Sequence, residues 1–193
     1  MLVALTGGFG TGKSTVLEMF RHCGAHTLSA DQIVHELLER EDLKREILEY
    51  FGPDILDTDG RIDRKALAER VFSSEENRIW LERLLHPEVF RKIDEFYRQH
   101  PEGITVVEIP LLYETSTEDR FDAVVVVYAP ESKVKERLKD RGFNEEDISC
   151  RMKAQLDINE KLRRADYVVD NSSDQESTFQ AVRDIYDRLR KRL

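Results

Sequence analysis

Little in this chain points to a membrane or to the oxidising exterior of a cell. Only two cysteines occur, Cys23 and Cys150, and neither stands in a CxxC or other metal-ligand spacing. A disulfide scaffold and a cysteine-based zinc site are therefore excluded, and a reduced, cytoplasmic protein is the expectation. The longest apolar run, Ala123 to Ala129, has seven residues, whereas a bilayer-spanning helix needs ~20. The apolar stretch Met1 to Leu5 has no basic residue before it and is too short for the core of a secretory signal. An excess of positive charge is also missing. Lys and Arg number 30 against 39 Asp and Glu, and the net charge of -9 repels a polyanion. No basic stripe in mid-chain overrides that total, so no nucleic-acid partner is expected. The cluster Arg188, Arg190, Lys191 and Arg192 closes a patterned helix, where cations meet the negative end of the dipole. Repeats and low-complexity tracts are absent.

What is present belongs to one folded domain. The 193 residues, 40% hydrophobic and 36% charged, are enough to bury one sizeable core beneath an ionic surface. Short apolar runs without clean alternation recur at Leu2 to Leu5, His26 to Ser29, Ile104 to Ile109, Ala123 to Tyr128 and Tyr167 to Val169. That pattern predicts strands covered on both faces of a parallel sheet. Helical periodicity separates them: Val16, Leu17 and Phe20, then Val134, Leu138, Ile148, Met152 and Leu156, and last Phe179, Val182, Tyr186, Leu189 and Leu193. The expectation is an α/β fold, a five-stranded parallel sheet between layers of helices. Residues 32–100 carry almost no strand signal. Leu37 and Leu38, Leu43, Ile47 and Phe51, Leu67, Val71 and Phe72, then Ile79, Leu84 and Leu85 predict several short helices, read as an insertion that caps a substrate. "DTDG", residues 57–60, reads as a turn.

The most specific signal is "GGFGTGKS", residues 7–14, which matches GxxxxGK[ST] with a strand before it and a helix after it. In a P-loop the glycines let the backbone curl and point its N–H groups at phosphates. Gly8, Gly10, Thr11, Gly12, Lys13, Ser14 and Thr15 are the candidate nucleotide-binding residues, with Lys13 on the β- and γ-phosphates and the Ser14 hydroxyl on Mg²⁺. A guanine-reading [NT]KxD is absent, which argues against a GTPase.

Four further positions fit phosphoryl transfer. Asp31, placed at the end of the second strand, could accept the proton of an attacking hydroxyl, or could simply cap the helix beginning near Gln32. Glu108, at the end of the third, could orient magnesium or its water, or could be an ordinary strand-end residue. Arg137 and Arg141, four apart and so on one helix face, fit a lid of residues 131–160 that neutralises a transferring phosphoryl, although such pairs are often only solvated. His22 and His26 have HxxxH spacing, but Gly24 ends the helix between them. His86 precedes Pro87, a step that is expected to end a helix.

"LTGGFGTGKSTV", "SADQIVHEL", "GRIDRKALAERVF", "LLHPEV", "EIPLLYE", "RLKDRG" and "ADYVVDN", in that order and nearly end to end, resemble the dephospho-coenzyme A kinase family. The resemblance implies the three-layer P-loop kinase fold and transfer of the ATP γ-phosphoryl, with Mg²⁺, to the ribose 3′-hydroxyl of dephospho-CoA. It makes Asp31 the base, Lys13 and the loop amides the cradle, and Arg137 and Arg141 the clamp. It also implies an acceptor side that includes Asp31, Arg64, His86 and Glu114, and places Asn171 near the adenine. The family's Asp-Ala-Asp reads Ser29-Ala30-Asp31 here, which leaves Asp31 as the acid of that motif. Another small-molecule kinase, such as a nucleoside monophosphate kinase, and an ATP-binding switch without an acceptor are the alternatives.

Overall fold

The computed structural model describes all 193 residues apart from the side chain of Phe72, so that apolar position of the helical pattern lies outside the described residues. The chain divides into two compact units, one of Met1–Ser29 with Gln99–Leu193 and one of Ala30–Arg98.

The first unit is built on five parallel strands, β1 (Leu2–Gly7), β2 (His26–Ser29), β3 (Thr105–Glu108), β4 (Ala123–Tyr128) and β5 (Tyr167–Asp170), in the order β2-β3-β1-β4-β5. β1 lies at the centre because its residues are apolar on both faces, and Leu2 to Leu5 are all buried. It pairs with β3 through Leu5 and Glu108 and with β4 through Gly7 and Val127. The chain turns to opposite sides of β1 in reaching β3 and β4, so the carboxyl end of β1 sits at the topological switch point, where open parallel sheets bind ligands.

Two helices close one face of that sheet. Val16, Met19 and Phe20 of α1 (Lys13–His22) and Val182, Ile185 and Leu189 of α9 (Gln175–Arg190) pack with Val3, Leu5, Val106, Val125 and Val127 in one apolar core. At about 25 cal/mol per Å² of apolar surface this burial is the main force holding the sheet to its helices. Val124 and Val126, on the other face of β4, are buried too. Three helices follow β4 and precede the end of the sheet: α6 (Glu131–Asp140), α7 (Glu145–Lys153) and α8 (Ile158–Arg164). Val134, Leu138 and Ile148 form a second, smaller core there, with Phe9, Phe143 and Met152 against it. Two residues expected on helices lie off them. Leu156 falls in the turn between α7 and α8, and Leu193 lies beyond α9 and is exposed, because α9 ends at Arg190.

The second unit is helical: α2 (Ala30–Leu38), α3 (Glu41–Phe51), α4 (Arg64–Phe72) and α5 (Glu75–Gln99, whose last residue belongs to the first unit). "DTDG" is a turn, with the Asp57 carboxylate accepting from the N–H groups of Asp59 and Arg61 at 2.9 Å each. Arg40 ties the start of α3 to Asp42 and to Glu88 of α5. Its guanidinium holds the exposed Asp42 carboxyl down to about 2. Tyr50 stacks on Trp80 with centroids 4.1 Å apart. The expectation of several short helices fails at Pro87. α5 runs through it for 25 residues, because Leu85, Val89 and Ile93 at four-residue steps bury one face and outweigh the one backbone donor that proline lacks.

Candidate active site

The glycine-rich loop of the P-loop motif forms where β1 stops. Residues 8–12 loop from Gly7 into α1, and Gly12 at its N-cap takes φ +93°, a left-handed conformation that only glycine adopts freely. No side chain caps α1 and no acid occupies its first turn, so the donors and positive dipole of the helix start are left for an anion. Thr11 is buried and its hydroxyl donates to the Gly8 carbonyl at 2.9 Å, which closes the loop on itself. The Lys13 ammonium donates to the carbonyls of Gly8 at 2.9 Å and Gly7 at 3.4 Å. The amine is thus folded back along the loop whose amides it would share with a phosphate.

Asn171, just past β5, locks this loop from outside. Its side-chain amide donates to the Thr11 carbonyl at 2.8 Å, and its carbonyl accepts from the Thr178 hydroxyl at 3.2 Å. The side-chain polar atoms of Asn171 therefore hold protein, whereas the resemblance implies that it lies near the adenine. The backbone carbonyl of Asn171 accepts from Arg137 Nη2 at 2.8 Å, and Arg137 Nη1 is buried with no hydrogen-bond partner among the described residues. Arg141 does not share a helix face with it. α6 ends at Asp140, and Arg141 is the exposed cap residue.

A pair of hard oxygen donors lies beside this loop. The Ser14 hydroxyl donates to Glu108 Oε1 at 3.2 Å, and Glu108 is buried at the end of β3. The described residues contain no group of three His, Cys, Asp or Glu side chains able to hold a metal by themselves. Two oxygen donors without a full cage suit Mg²⁺, which takes most of its ligands from phosphate and water.

Glu114 is committed to this unit. Its Oε1 accepts from the Lys161 ammonium at 2.7 Å and from the Leu156 N–H at 2.9 Å, while Oε2 is buried without a partner among the described residues. Three candidates belong to the helical unit. Asp31 does not end a strand or cap a helix: α2 begins at Ala30, directly after β2, and Asp31 lies in its first turn. Arg64 is the first residue of α4, behind the N-cap Asp63, which accepts from the N–H groups of Lys65 and Ala66. His86 lies within α5, its ring 6.4 Å from that of Phe90, and ends no helix.

The motifs gave no weight to Gln155 or Lys161. Gln155 Oε1 accepts the Phe9 N–H at 2.7 Å, and Lys161 is fully buried. The sequence carries one weak signal for Lys161, which follows Ile158 by three residues and precedes Leu162, so it shares a face with an apolar position. Around Phe9, the Phe143 ring makes an edge contact at 5.5 Å and the Arg151 guanidinium lies 5.3 Å from the ring centre.

A family model described as dephospho-CoA kinase matches residues 1–177. The chain belongs to the dephospho-CoA kinase family. A dephospho-CoA kinase of Aquifex aeolicus is 41% identical over 97% of this chain and 96% of its own. That of Bacillus licheniformis is 38% identical over 99% of each. Among solved structures, the dephospho-CoA kinase of Campylobacter jejuni superposes with a TM-score of 0.71 at 30% identity, over 98% of this chain and 97% of its own. A shikimate kinase of Bacteroides thetaiotaomicron, at 15% identity and a TM-score of 0.54 over 98% of each chain, shares the fold. As a member of this ATP-dependent kinase family the protein has ATP and dephospho-CoA as its implied substrates, and it carries the P-loop kinase fold. No helix among the described residues is long and apolar enough to cross a membrane.

Proposed function

We propose that this kinase transfers the γ-phosphoryl of ATP to the ribose 3′-hydroxyl of dephospho-CoA, giving CoA and ADP. The observation that carries the reading is the cradle: an uncapped helix start, the Lys13 ammonium and the Ser14–Glu108 oxygen pair at the carboxyl end of β1. The loop amides from Gly8 to Thr15 bind the phosphates. The Lys13 ammonium leaves the carbonyls of Gly7 and Gly8 to neutralise the β- and γ-phosphates. Ser14 and Glu108 would hold Mg²⁺, which would supply positive charge to offset that of the phosphates. Arg137, with one nitrogen on the Asn171 carbonyl and Nη1 buried without a partner among the described residues, supplies charge to the transferring group, and Arg141 joins it when the lid of residues 131–160 closes.

On the acceptor side, the insertion of residues 32–100 holds dephospho-CoA. Asp31 accepts the proton of the attacking hydroxyl, and Arg64 and His86 bind the acceptor. Glu114 acts there by shaping the end of its loop. Asn171 serves nucleotide binding by bracing Thr11 beneath the phosphates. A cytoplasmic location fits the substrates and the two free cysteines.

The test is an ADP-release assay run with dephospho-CoA, nucleoside monophosphates and no acceptor. Turnover is expected with dephospho-CoA only. Faster turnover with a nucleoside monophosphate would make the protein that other kind of kinase, and nucleotide binding without transfer to any acceptor would make it a switch.

A further inference from the structure

Lys161 is the largest charged side chain in the fully buried set, and phosphoryl transfer as described above leaves it without a task. Burying an ammonium costs several kcal/mol unless it is paired and hydrogen-bonded. Here it is both. Nζ lies 2.7 Å from Glu114 Oε1 and donates to the Pro110 carbonyl at 3.3 Å. The same Pro110 carbonyl accepts from the Thr6 hydroxyl at 3.4 Å, on the strand that leads into the P-loop. One ammonium thus joins α8, the loop that follows Glu108 and the root of the cradle.

The Glu114 oxygen that pairs with Lys161 also accepts the Leu156 N–H at 2.9 Å. The residue before Leu156 is Gln155, whose Oε1 accepts the N–H of Phe9 at 2.7 Å, within the phosphate-binding loop. A continuous chain of polar contacts therefore runs from Lys161 through Glu114 and Leu156 to Gln155 and the amide of Phe9. Fixing Leu156 fixes its neighbour's backbone, and that determines where the Gln155 side chain reaches.

We propose that Lys161 and Gln155 are positioning residues for phosphoryl transfer: Lys161 holds the turn between α7 and α8 through Glu114, and Gln155 on that turn orients the Phe9 peptide in the cradle. The proposal rests on the kinase reading of the P-loop, but the geometry it asserts is readable without turnover.

The experiment follows the Phe9 amide resonance in the nucleotide-free full-length protein, together with kcat and KM for both substrates. Gln155→Ala is expected to move that resonance and to lower kcat/KM for ATP about tenfold, the size of one lost hydrogen bond, while KM for dephospho-CoA stays within about twofold. Lys161→Met is expected to move the same resonance in the same direction. The double variant should be no worse than Lys161→Met alone, because both changes cut one chain. If Lys161→Met does not fold with the Glu114 charge left unpaired, Lys161→Met with Glu114→Gln removes both charges and replaces it in the comparison. An unmoved Phe9 resonance, effects that multiply, or a fall in thermal midpoint with kinetics intact would overturn the proposal. If wild type binds ATP but phosphorylates no acceptor, the proposed reaction fails instead, and the resonance shifts still decide the geometry.

Discussion

Asn171 donates its side-chain amide to the carbonyl of Thr11 at 2.8 Å, joining the end of β5 to the middle of the glycine-rich loop before α1 across 160 residues of sequence. Both residues are buried, so neither group has water as a substitute partner. Removing Asn171 orphans the Thr11 carbonyl, while the Thr178 hydroxyl keeps the Asp174 carbonyl at 3.1 Å as an acceptor. Asn171→Ala is expected to cost about 1–3 kcal/mol of stability and to raise KM for ATP. Denaturant unfolding and ATP kinetics check both effects, and an unchanged midpoint with an unchanged KM would show that the bond does nothing.

The same contact makes Gly12 intolerant of a side chain. A Cβ there would lie 2.3 Å from Asn171 Nδ2, at φ +93°. Gly12→Ala must push Asn171 off Thr11 and strain the backbone as well, which costs about 1–3 kcal/mol for the conformation alone. A loss of kcat/KM for ATP of about 10²-fold or more is expected, from misplacement of the phosphates. Activity within about threefold of wild type would contradict a phosphate-binding role for this loop.

Much of this is legible in the sequence alone. The strand–GxxxxGK[ST]–helix order predicts the loop between β1 and α1 because the glycines, the lysine and the serine are all local to one turn. β4 was legible because "AVVVVY" is apolar on both faces. What escaped was set by distant partners or by competition. The sequence predicts a strand end at Asp31 because nothing in "TLSAD" announces that a helix starts without a connecting loop. The helix break at Pro87 failed because the burial of Leu85, Val89 and Ile93 decides the matter, and local proline chemistry does not. Lys161 reads as one more surface cation in "NEKLRR", and only the fold brings Glu114 and Pro110 to it.

Asp31 tests the acceptor half of the reaction. As the base it is expected to give a fall in kcat of about 10²-fold on Asp31→Asn, with ATP affinity unchanged. Steady-state kinetics beside calorimetric titration with ATP separate the two. An unchanged kcat would leave Asp31 as a first-turn acid favoured by the dipole of α2 and nothing more.

Tyr113 gives the fold an alkaline limit. Its buried hydroxyl has no hydrogen-bond partner among the described residues, and burial pushes its pKa up to about 12, against the pull of the Arg164 guanidinium 4.3 Å from the ring centre. Glu118 and Asp166 add to the rise. The unfolded chain loses this proton near pH 10 while the folded protein keeps it, so stability is intact below pH 10 and falls as pH rises towards 12. Tyr113→Phe is expected to flatten the unfolding midpoint over that window. Equal slopes in the variant and wild type would assign the alkaline loss to other groups.

The central claim is the transfer itself, and the mass of the acceptor tests it most directly. Dephospho-CoA incubated with ATP, Mg²⁺ and the protein is expected to gain one phosphoryl group, located on the ribose 3′-oxygen by ³¹P resonance, with one ADP formed per CoA. Lys13→Met should leave the acceptor unphosphorylated over the same interval. Dephospho-CoA recovered unchanged while ATP is bound, or an equal mass gain with Lys13→Met, would contradict the account.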